Sequence, residues 1–158
     1  MYITTYQLVL QKDIFCSICE PRRYLHNYGL TFALGLAAAP YASAAVPRYA
    51  EDFAALNARH LYVLPAKPHT PTFGRAKTLA TGSRFEFMVL SVDRLRVPPW
   101  VRLGKGMSKA AVQVRGQQAV KAVASGRFTS ATPVNPVDLP AETRLLTYDL
   151  ITMPPVSL

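Results

Sequence analysis

The sequence predicts an α+β fold with a modified ferredoxin-like core, in which an antiparallel sheet carries helices on one face and an added β-hairpin. Half of the residues are hydrophobic, which supplies a core and argues against disorder. Thirteen prolines against eight glycines indicate many strand ends and loops. Segments with strand or helix periodicity follow in the order strand, helix, helix and then mostly strands. With 158 residues, the chain is predicted to form a single domain over residues 1–158.

The first part of the chain predicts one strand and one buried helix. Tyr2–Leu10 alternates along a β-branched and aromatic run, which predicts a strand. Ile14–Arg23, with its proline and mixed charges, predicts a loop. Tyr24–Leu36 is long and apolar and predicts a largely buried helix. The predicted core face of this helix consists of Tyr28, Phe32 and Leu36.

A second helix is predicted after Pro47, because proline suits the first turn of a helix. It runs to about Arg59 and carries apolar residues at helical spacing, namely Tyr49, Phe53 and Leu56. A short strand over Leu61–Ala66 then leads into a proline-rich loop over Lys67–Thr72.

The second half of the chain predicts mostly strands. Arg84–Ser91 alternates clearly and predicts a strand with Phe85, Phe87 and Val89 on one face. A hairpin is predicted around the turn Gly104–Lys105–Gly106. The remaining predicted segments are the hairpin arms Trp100–Leu103 and Ala111–Arg115, a short helix over Gln117–Ala124 and a closing strand over Leu145–Thr152.

The charge of the chain is strongly and unevenly positive. Eighteen Lys and Arg residues face nine Asp and Glu residues, which gives a formal net charge of +9. Between Arg94 and Val137 there are eight basic residues and no acidic residue. Such a stretch attracts polyanions, and nucleic acid is the commonest reason for it. A solvated basic surface or an anionic membrane surface are the alternatives that this pattern leaves open.

Three segments interleave basic residues with aromatic residues or turn glycines. They are Arg22–Tyr28, Gly74–Phe85 and Trp100–Lys109. Cations neutralise phosphates, aromatic faces stack unpaired bases, and glycines let a sugar–phosphate chain approach the backbone. The predicted RNA-binding residues are Arg22, Tyr24, His26, Arg75, Lys77, Arg84, Arg102, Lys105 and Lys109.

Catalytic patterns are weak by comparison. The chain has no phosphate-binding glycine loop and no nucleophile elbow, and nine scattered acids do not favour a two-metal nuclease. A metal-independent ribonuclease built from Tyr24, His26 and a nearby lysine is the alternative that stays open. Cys16 and Cys19 form a lone Cys-x-x-Cys without further ligands at zinc spacing. We therefore expect no metal, no cofactor and no catalytic residue.

The apolar run Gly29–Val46 resembles the core of a signal peptide, but it begins far from Met1 and contains Pro40. It is also short for a membrane span. We therefore expect a buried helix followed by a turn, a cytoplasmic protein and no membrane partner. An exported or membrane-associated basic protein is the alternative.

Five blocks together resemble the Cas five subunit of type I-D CRISPR effectors, the Csc one type. They occur in the family's order and span most of the chain. The blocks are YLHNYGLTFALGL (Tyr24–Leu36), LYVLPAKP (Leu61–Pro68), GSRFEFMVLS (Gly82–Ser91), WVRLGKGMSKAAV (Trp100–Val112) and YDLITMPPV (Tyr148–Val156).

This resemblance implies a RAMP subunit with a modified RRM or ferredoxin-like core, working in antiviral defence within a Cascade ribonucleoprotein complex. Such a subunit holds the 5′ handle of the CRISPR RNA and contacts a Cas ten-type large subunit and a Cas seven-type backbone subunit. It meets target DNA through the complex. Precursor RNA is cut by a separate Cas six endonuclease, so the resemblance implies a subunit without chemistry of its own.

The chain departs from the family pattern in three places. The loops near Lys67–Thr72 and Asp93–Pro99 are shorter than in the family, which implies a reduced thumb-like hairpin. Gly106 stands where the family pattern leads us to expect Trp, so the resemblance does not imply a stacking or packing contact at this position. The pair Cys16 and Cys19 has no counterpart in the family pattern.

Overall fold

The computed structural model describes residues 2–15, 24–37, 49–70, 78–104 and 106–119. Within them lie eight strands and two helices, in an α+β arrangement. The strands are β1 (Tyr2–Leu10), β2 (Ile14–Phe15), β3 (Tyr62–Val63), β4 (Lys67–Thr70), β5 (Thr78–Leu79), β6 (Arg84–Ser91), β7 (Trp100–Leu103) and β8 (Ser108–Ala119). The helices are α1 (Asn27–Ala33) and α2 (Tyr49–Ala58).

The main sheet is antiparallel, with strand order β3-β6-β1-β8-β7, and β4 also pairs with β6. Tyr6 pairs with Phe87 and Leu8 with Phe85, so these four side chains share one face of the sheet. All four are buried. We call this face, which packs against the helices, the inner face, and the opposite one the outer face. The predicted strands over β1 and β6 are confirmed, with Phe85, Phe87 and Val89 in the core.

The inner face is held together by aromatic packing at its centre. The rings of Tyr6 and Phe87 stack with their centroids 5.2 Å apart. The Tyr6 hydroxyl donates to the backbone oxygen of Leu95 over 3.3 Å. Burial raises the pKa of Tyr6, with a smaller opposing effect from the hydrogen bond to Thr4, so the hydroxyl keeps its proton and its role as donor.

Both helices lie in the chain between β1 and β3, the strand at one end of the strand order. Because β1 and β3 are each antiparallel to β6, they run parallel to each other with β6 between them. Two parallel strands joined through helices, with another strand between them, form a split β-α-β unit. On the other side of β1, strand β8 is entered from the β7–β8 hairpin. The predicted α+β class is thus present, with its antiparallel sheet and added hairpin.

Helix α1 lies against the inner face and contacts both β3 and β7. Because these strands are at opposite ends of the strand order, the sheet curls around the helix. Its most buried residues are Asn27, Leu30 and Thr31, followed by Leu34 just after it. Tyr28, Phe32 and Leu36 are only partly buried, although Tyr28 and Leu36 pack against the core. The most buried face therefore lies part of a turn away from the predicted one. The helix is also shorter than predicted, because the extended residue His26 caps its N-terminus.

The second helix matches its prediction closely. It spans Tyr49–Ala58, and Phe53 and Leu56 are buried in the core. Its first turn also contacts α1, since the Tyr28 hydroxyl donates to Asp52 Oδ2 over 2.5 Å. Neither helix in the described part of the chain is long and apolar enough to cross a membrane.

The strand predicted over Leu61–Ala66 is observed only over Tyr62–Val63. Three further segments have a secondary structure other than the predicted one. Ile14–Phe15 was predicted as loop but pairs with Leu79 and Thr78 in a small second sheet, β2-β5. Lys67–Thr70 was predicted as loop but forms β4 against β6. Residues 117–119, predicted to begin a helix, continue β8, because pairing with β1 supplies their backbone hydrogen bonds.

Several predictions fall outside the described residues. They are the closing strand Leu145–Thr152, the later part of the Gly29–Val46 run, the rest of the helix predicted over Gln117–Ala124, and the pair Cys16 and Cys19.

Candidate nucleic-acid interface

The outer face of the main sheet collects positive charge. The described strands contain five Lys and Arg residues and one acidic residue, Glu86. Strand pairing and alternation place all five on the outer face and leave them exposed. These outer-face cations are Lys67, Arg84, Arg102, Lys109 and Arg115.

The β7–β8 hairpin carries the densest part of this surface. Its inward residues Val101, Leu103 and Ala110 are buried, so strict alternation turns the residues between them outward. Arg102 and Lys109 are direct cross-strand partners on the outer face. Two adjacent cations repel each other, which favours a bound anion between them. The hairpin predicted around Gly104 is confirmed.

Described residues on both sides of the hairpin turn make specific contacts. Gly104 has φ +68°, a left-handed conformation that glycine adopts without strain, and its oxygen accepts from the Met107 N–H over 3.1 Å. A Cβ at Gly104 would lie 3.1 Å from the Ile14 side chain. Ser108 donates to the backbone oxygen of Asp13, which ties the start of β8 to the loop before β2. These contacts position the described residues on either side of the turn, Gly104 and Ser108.

Trp100 lies on the same surface as the two hairpin cations. The Arg102 Cζ is 5.9 Å and the Lys109 Nζ 5.5 Å from the centroid of its ring, both within cation–π range. The Arg102 guanidinium also donates to the backbone oxygen of Met107 over 3.0 Å. These contacts hold the three side chains as one cluster.

Arg84 belongs to the same transverse row as Trp100. The register pairs Arg84 with Val9, Val9 with Ala111, and Ala111 with Trp100. Four neighbouring strands thus bring these residues into line across the outer face, with Arg84 about 14 Å from Trp100 by strand spacing. The structure therefore brings together three of the predicted RNA-binding residues, namely Arg84, Arg102 and Lys109.

Two outer-face cations were not predicted as site residues. Arg115 lies at a bulge in β8 and donates to the Gln7 side chain. Lys67 lies in β4, where its partner in the strand register is Glu86 of β6. The alternation that continues from Lys109 to Arg115 was a usable signal, since odd positions share a face. Lys67 had no such signal, because its segment was predicted as a loop.

Tyr24 and His26 lie at the opposite edge of the sheet from β7. Between them, Leu25 forms an antiparallel bridge with Ala66, just before β4. The Nδ1 atom of His26 accepts from the Tyr28 N–H over 3.1 Å, so this side chain caps α1. Both residues are half-buried. The strand order does not place them beside the hairpin cations.

The other predicted site residues lie outside the described residues: Arg22, Arg75, Lys77 and Lys105. In the described ranges, no group of three or more His, Cys, Asp or Glu residues is arranged to hold a metal ion.

A family model for the type I-D CRISPR-associated protein Cas5/Csc1 matches residues 1–71 and 67–158, which together cover the chain. The chain belongs to this family. The resemblance seen in the sequence blocks is thereby confirmed, and the protein is a type I-D CRISPR Cas5 subunit. A comparison with curated proteins gave no match.

The two matched segments of the Cas5/Csc1 model overlap at residues 67–71. This overlap coincides with β4, at the edge of the sheet where Lys67 pairs with Glu86. The hairpin that carries Trp100, Arg102 and Lys109 lies wholly inside the second segment. The basic outer face is therefore built from parts of the chain that both matched segments contribute.

Proposed function

We propose that this Cas5/Csc1 protein is a non-catalytic subunit of a type I-D CRISPR effector that grips the 5′ handle of CRISPR RNA. The outer face of the sheet is the proposed RNA surface. In the complex, the subunit bridges the Cas seven-type backbone and the Cas ten-type large subunit and meets target DNA through them. The complex works in the cytoplasm.

The observation that carries this proposal is the sorting of charge between the two sides of the sheet. All five Lys and Arg residues of the described strands lie on the outer face. The helices on the inner side contain no Lys or Arg, and the first turn of α2 contains Glu51 and Asp52. RNA carries one negative charge per phosphate. It therefore binds most strongly to a surface on which several cations lie together.

The test is the salt dependence of RNA binding. A triple variant, Arg102→Gln, Lys105→Gln and Lys109→Gln, removes three positive charges from the hairpin and its turn. The affinity for single-stranded CRISPR repeat RNA should fall, and the slope of log K against log salt should flatten by about 0.7 per lost phosphate contact. Fluorescence anisotropy at several salt concentrations measures both quantities.

A matched control removes three positive charges elsewhere. Arg59, Arg94 and Arg96 are exposed but lie after α2 or in the β6–β7 connection. That connection crosses the inner side, where Leu95 contacts Tyr6 and packs against the core. The variant Arg59→Gln, Arg94→Gln and Arg96→Gln should keep a steeper slope than the hairpin variant. Equal losses in both would show that only net charge matters and would refute the outer face as the RNA surface.

The absence of chemistry is tested separately. His26 is the group on which a metal-independent ribonuclease would depend, and its Nδ1 atom already caps α1. Purified protein incubated with repeat RNA without metal should leave the RNA intact. Cleavage that disappears in His26→Asn, which keeps a capping side chain, would establish the ribonuclease instead.

The proposed partners are tested by co-purification of the tagged full chain from cells that carry the whole system. We expect CRISPR RNA, the backbone subunit and the large subunit in the eluate. Recovery of the chain with neither RNA nor these subunits would contradict the bridging role.

A further inference from the structure

We propose that Trp100 is a base-stacking site, at which one unpaired RNA base lies on the indole while Arg102 and Lys109 neutralise the neighbouring phosphates. The inference rests on the proposed function, because it assigns one nucleotide position within the RNA-binding outer face. Trp100 begins one of the three segments that interleave basic and aromatic residues, but it is not among the predicted RNA-binding residues.

The exposure of Trp100 is the first observation. Its side chain is 49% exposed, although its neighbours Val101 and Leu103 are buried in the core. Exposing part of a large aromatic ring forgoes the free energy of burying it, about 25 cal/mol per Å² of apolar surface. A ring held on the outside of a rigid strand is suited to receive a flat apolar partner.

The two cations are the second observation. Trp100 is opposite Ala111, and the next outward pair toward the turn is Arg102 with Lys109. Both cations therefore lie on the side of Trp100 that is nearer the hairpin turn. The Arg102 Cζ is 5.9 Å and the Lys109 Nζ 5.5 Å from the centroid of the ring. Cation–π contact orients the ring, and both cations remain exposed to a ligand. A nucleotide has the matching pair of groups, a flat base beside an anionic phosphate.

The surface beside the ring is the third observation. On the side toward the sheet centre, Trp100 adjoins the small residue Ala111, and beyond it Val9 and then Arg84. Ala111 and Val9 project little, so a chain that crosses the strands can pass over them toward Arg84. The row spans about 14 Å by strand spacing, which leaves room for more than one nucleotide.

Charge decides between RNA and a protein partner. The described strands contain Glu86 as their one acidic residue, and none is present in the chain between Arg94 and Val137. The partner that matches a half-exposed indole flanked by two exposed cations is a stacked base with its phosphates. An apolar protein segment would leave both cations without a counter-charge.

The experiment uses the fluorescence of the full chain, which contains a single tryptophan. A mixed-sequence single-stranded RNA of about ten nucleotides, within the usual footprint of single-strand binders, is titrated into the protein. Stacking on the indole should quench its emission as the complex forms. An abasic oligonucleotide of equal length has the same phosphates but no bases, and it should bind more weakly without quenching.

Substitution of Trp100 gives the second readout. Trp100→Ala should weaken RNA binding by about 5- to 150-fold, the loss expected for one stacked base, and Trp100→Phe by less. The slope of log affinity against log salt should stay close to that of the unchanged protein, because no cation is removed. The thermal unfolding midpoints of both variants verify that the fold is retained.

The outcomes separate this inference from the proposed function. If RNA binds with a steep salt dependence but neither quenches the indole nor responds to Trp100→Ala, stacking is refuted and the charged surface stands. If RNA does not bind the full chain, both proposals fail. If Trp100→Ala weakens capture of a neighbouring subunit and leaves RNA affinity unchanged, Trp100 is a protein contact and the inference is overturned.

Discussion

The helical layer and the outer face of the sheet differ in charge and in what they do for the protein. The helices contain no Lys or Arg, and their apolar residues, such as Leu30 and Phe53, are buried in the core. Within the described strands, the outer face holds five cations and one acidic residue, and its residues are exposed more often than buried. One side of the sheet therefore stabilises the fold, and the other side is available for binding.

This division follows from the two-residue period of a strand. In β6, Phe85, Phe87 and Val89 are buried while Arg84 and Glu86 are exposed. Each strand thus serves the core and the surface with alternate residues, so either function can be changed without the other. If the two faces are independent, a substitution on one face should leave the function of the other unchanged.

Adjacent residues of β6 should respond very differently to truncation. Phe85 is fully buried, so Phe85→Ala should lower the free energy of unfolding by about 3–5 kcal/mol. Arg84→Ala, on the outer face, should change it by less than about 0.5 kcal/mol and weaken RNA binding. Urea unfolding and anisotropy measure the two effects. A large loss of stability in Arg84→Ala would show that the two faces are not independent.

The cap of α1 should have an intermediate effect. His26→Ala removes the acceptor of the Tyr28 N–H, and we expect a loss of about 1 kcal/mol in the free energy of unfolding. His26→Asn supplies a favourable capping oxygen and should recover most of that loss. If Asn rescues nothing, the role of His26 in the fold lies in its other contacts rather than in the cap.

Charge added on each side gives the sharpest comparison for binding. Glu86→Lys adds a cation between Lys67 and Gln7 on the outer face. If it gains one phosphate contact, the salt slope of RNA binding should steepen by about 0.7. Glu51→Lys makes the same change of net charge on α2 and should leave the slope nearly unchanged. Similar slopes for the two variants would mean that RNA does not distinguish the two sides.

The loop before β2 should add a pH dependence to stability. Asp13 Oδ1 accepts from the side chain and the backbone N–H of Thr81, each over 2.7 Å, and these bonds lower the Asp13 pKa below its ordinary 3.8. A depressed pKa in the folded state stabilises the fold above the unfolded pKa. That contribution is lost as the pH falls through the folded value.

Thermal unfolding from neutral pH to below pH about 3 tests this small effect. Asp13→Asn removes the titration, so the midpoint difference between it and the unchanged protein should be constant above pH about 4 and shrink below it. A difference that grows toward low pH would reverse the sign of the argument.

The sequence alone was sufficient for the elements whose two faces differ most. Strands β1 and β6 and the hairpin arm Trp100–Leu103 were predicted with the bounds that the structure has. Their apolar residues alternate with polar ones, and this period is local information. The core residues Phe53 and Leu56 of α2 were predicted for the corresponding helical reason. The excess of basic residues was likewise visible, because composition does not depend on the fold.

The pairing of strands that are distant in sequence determined which residues are neighbours on the sheet. No local pattern indicates that β8 pairs with β1 and extends through residue 119, because that choice is made by a partner strand far away in sequence. The same pairing puts Arg84 in one row with Trp100 and adds Arg115 and Lys67 to the outer face. It also puts Tyr24 and His26 at the other edge. A residue's own neighbours determine which way it faces, but only contacts between distant segments determine which cations share a surface.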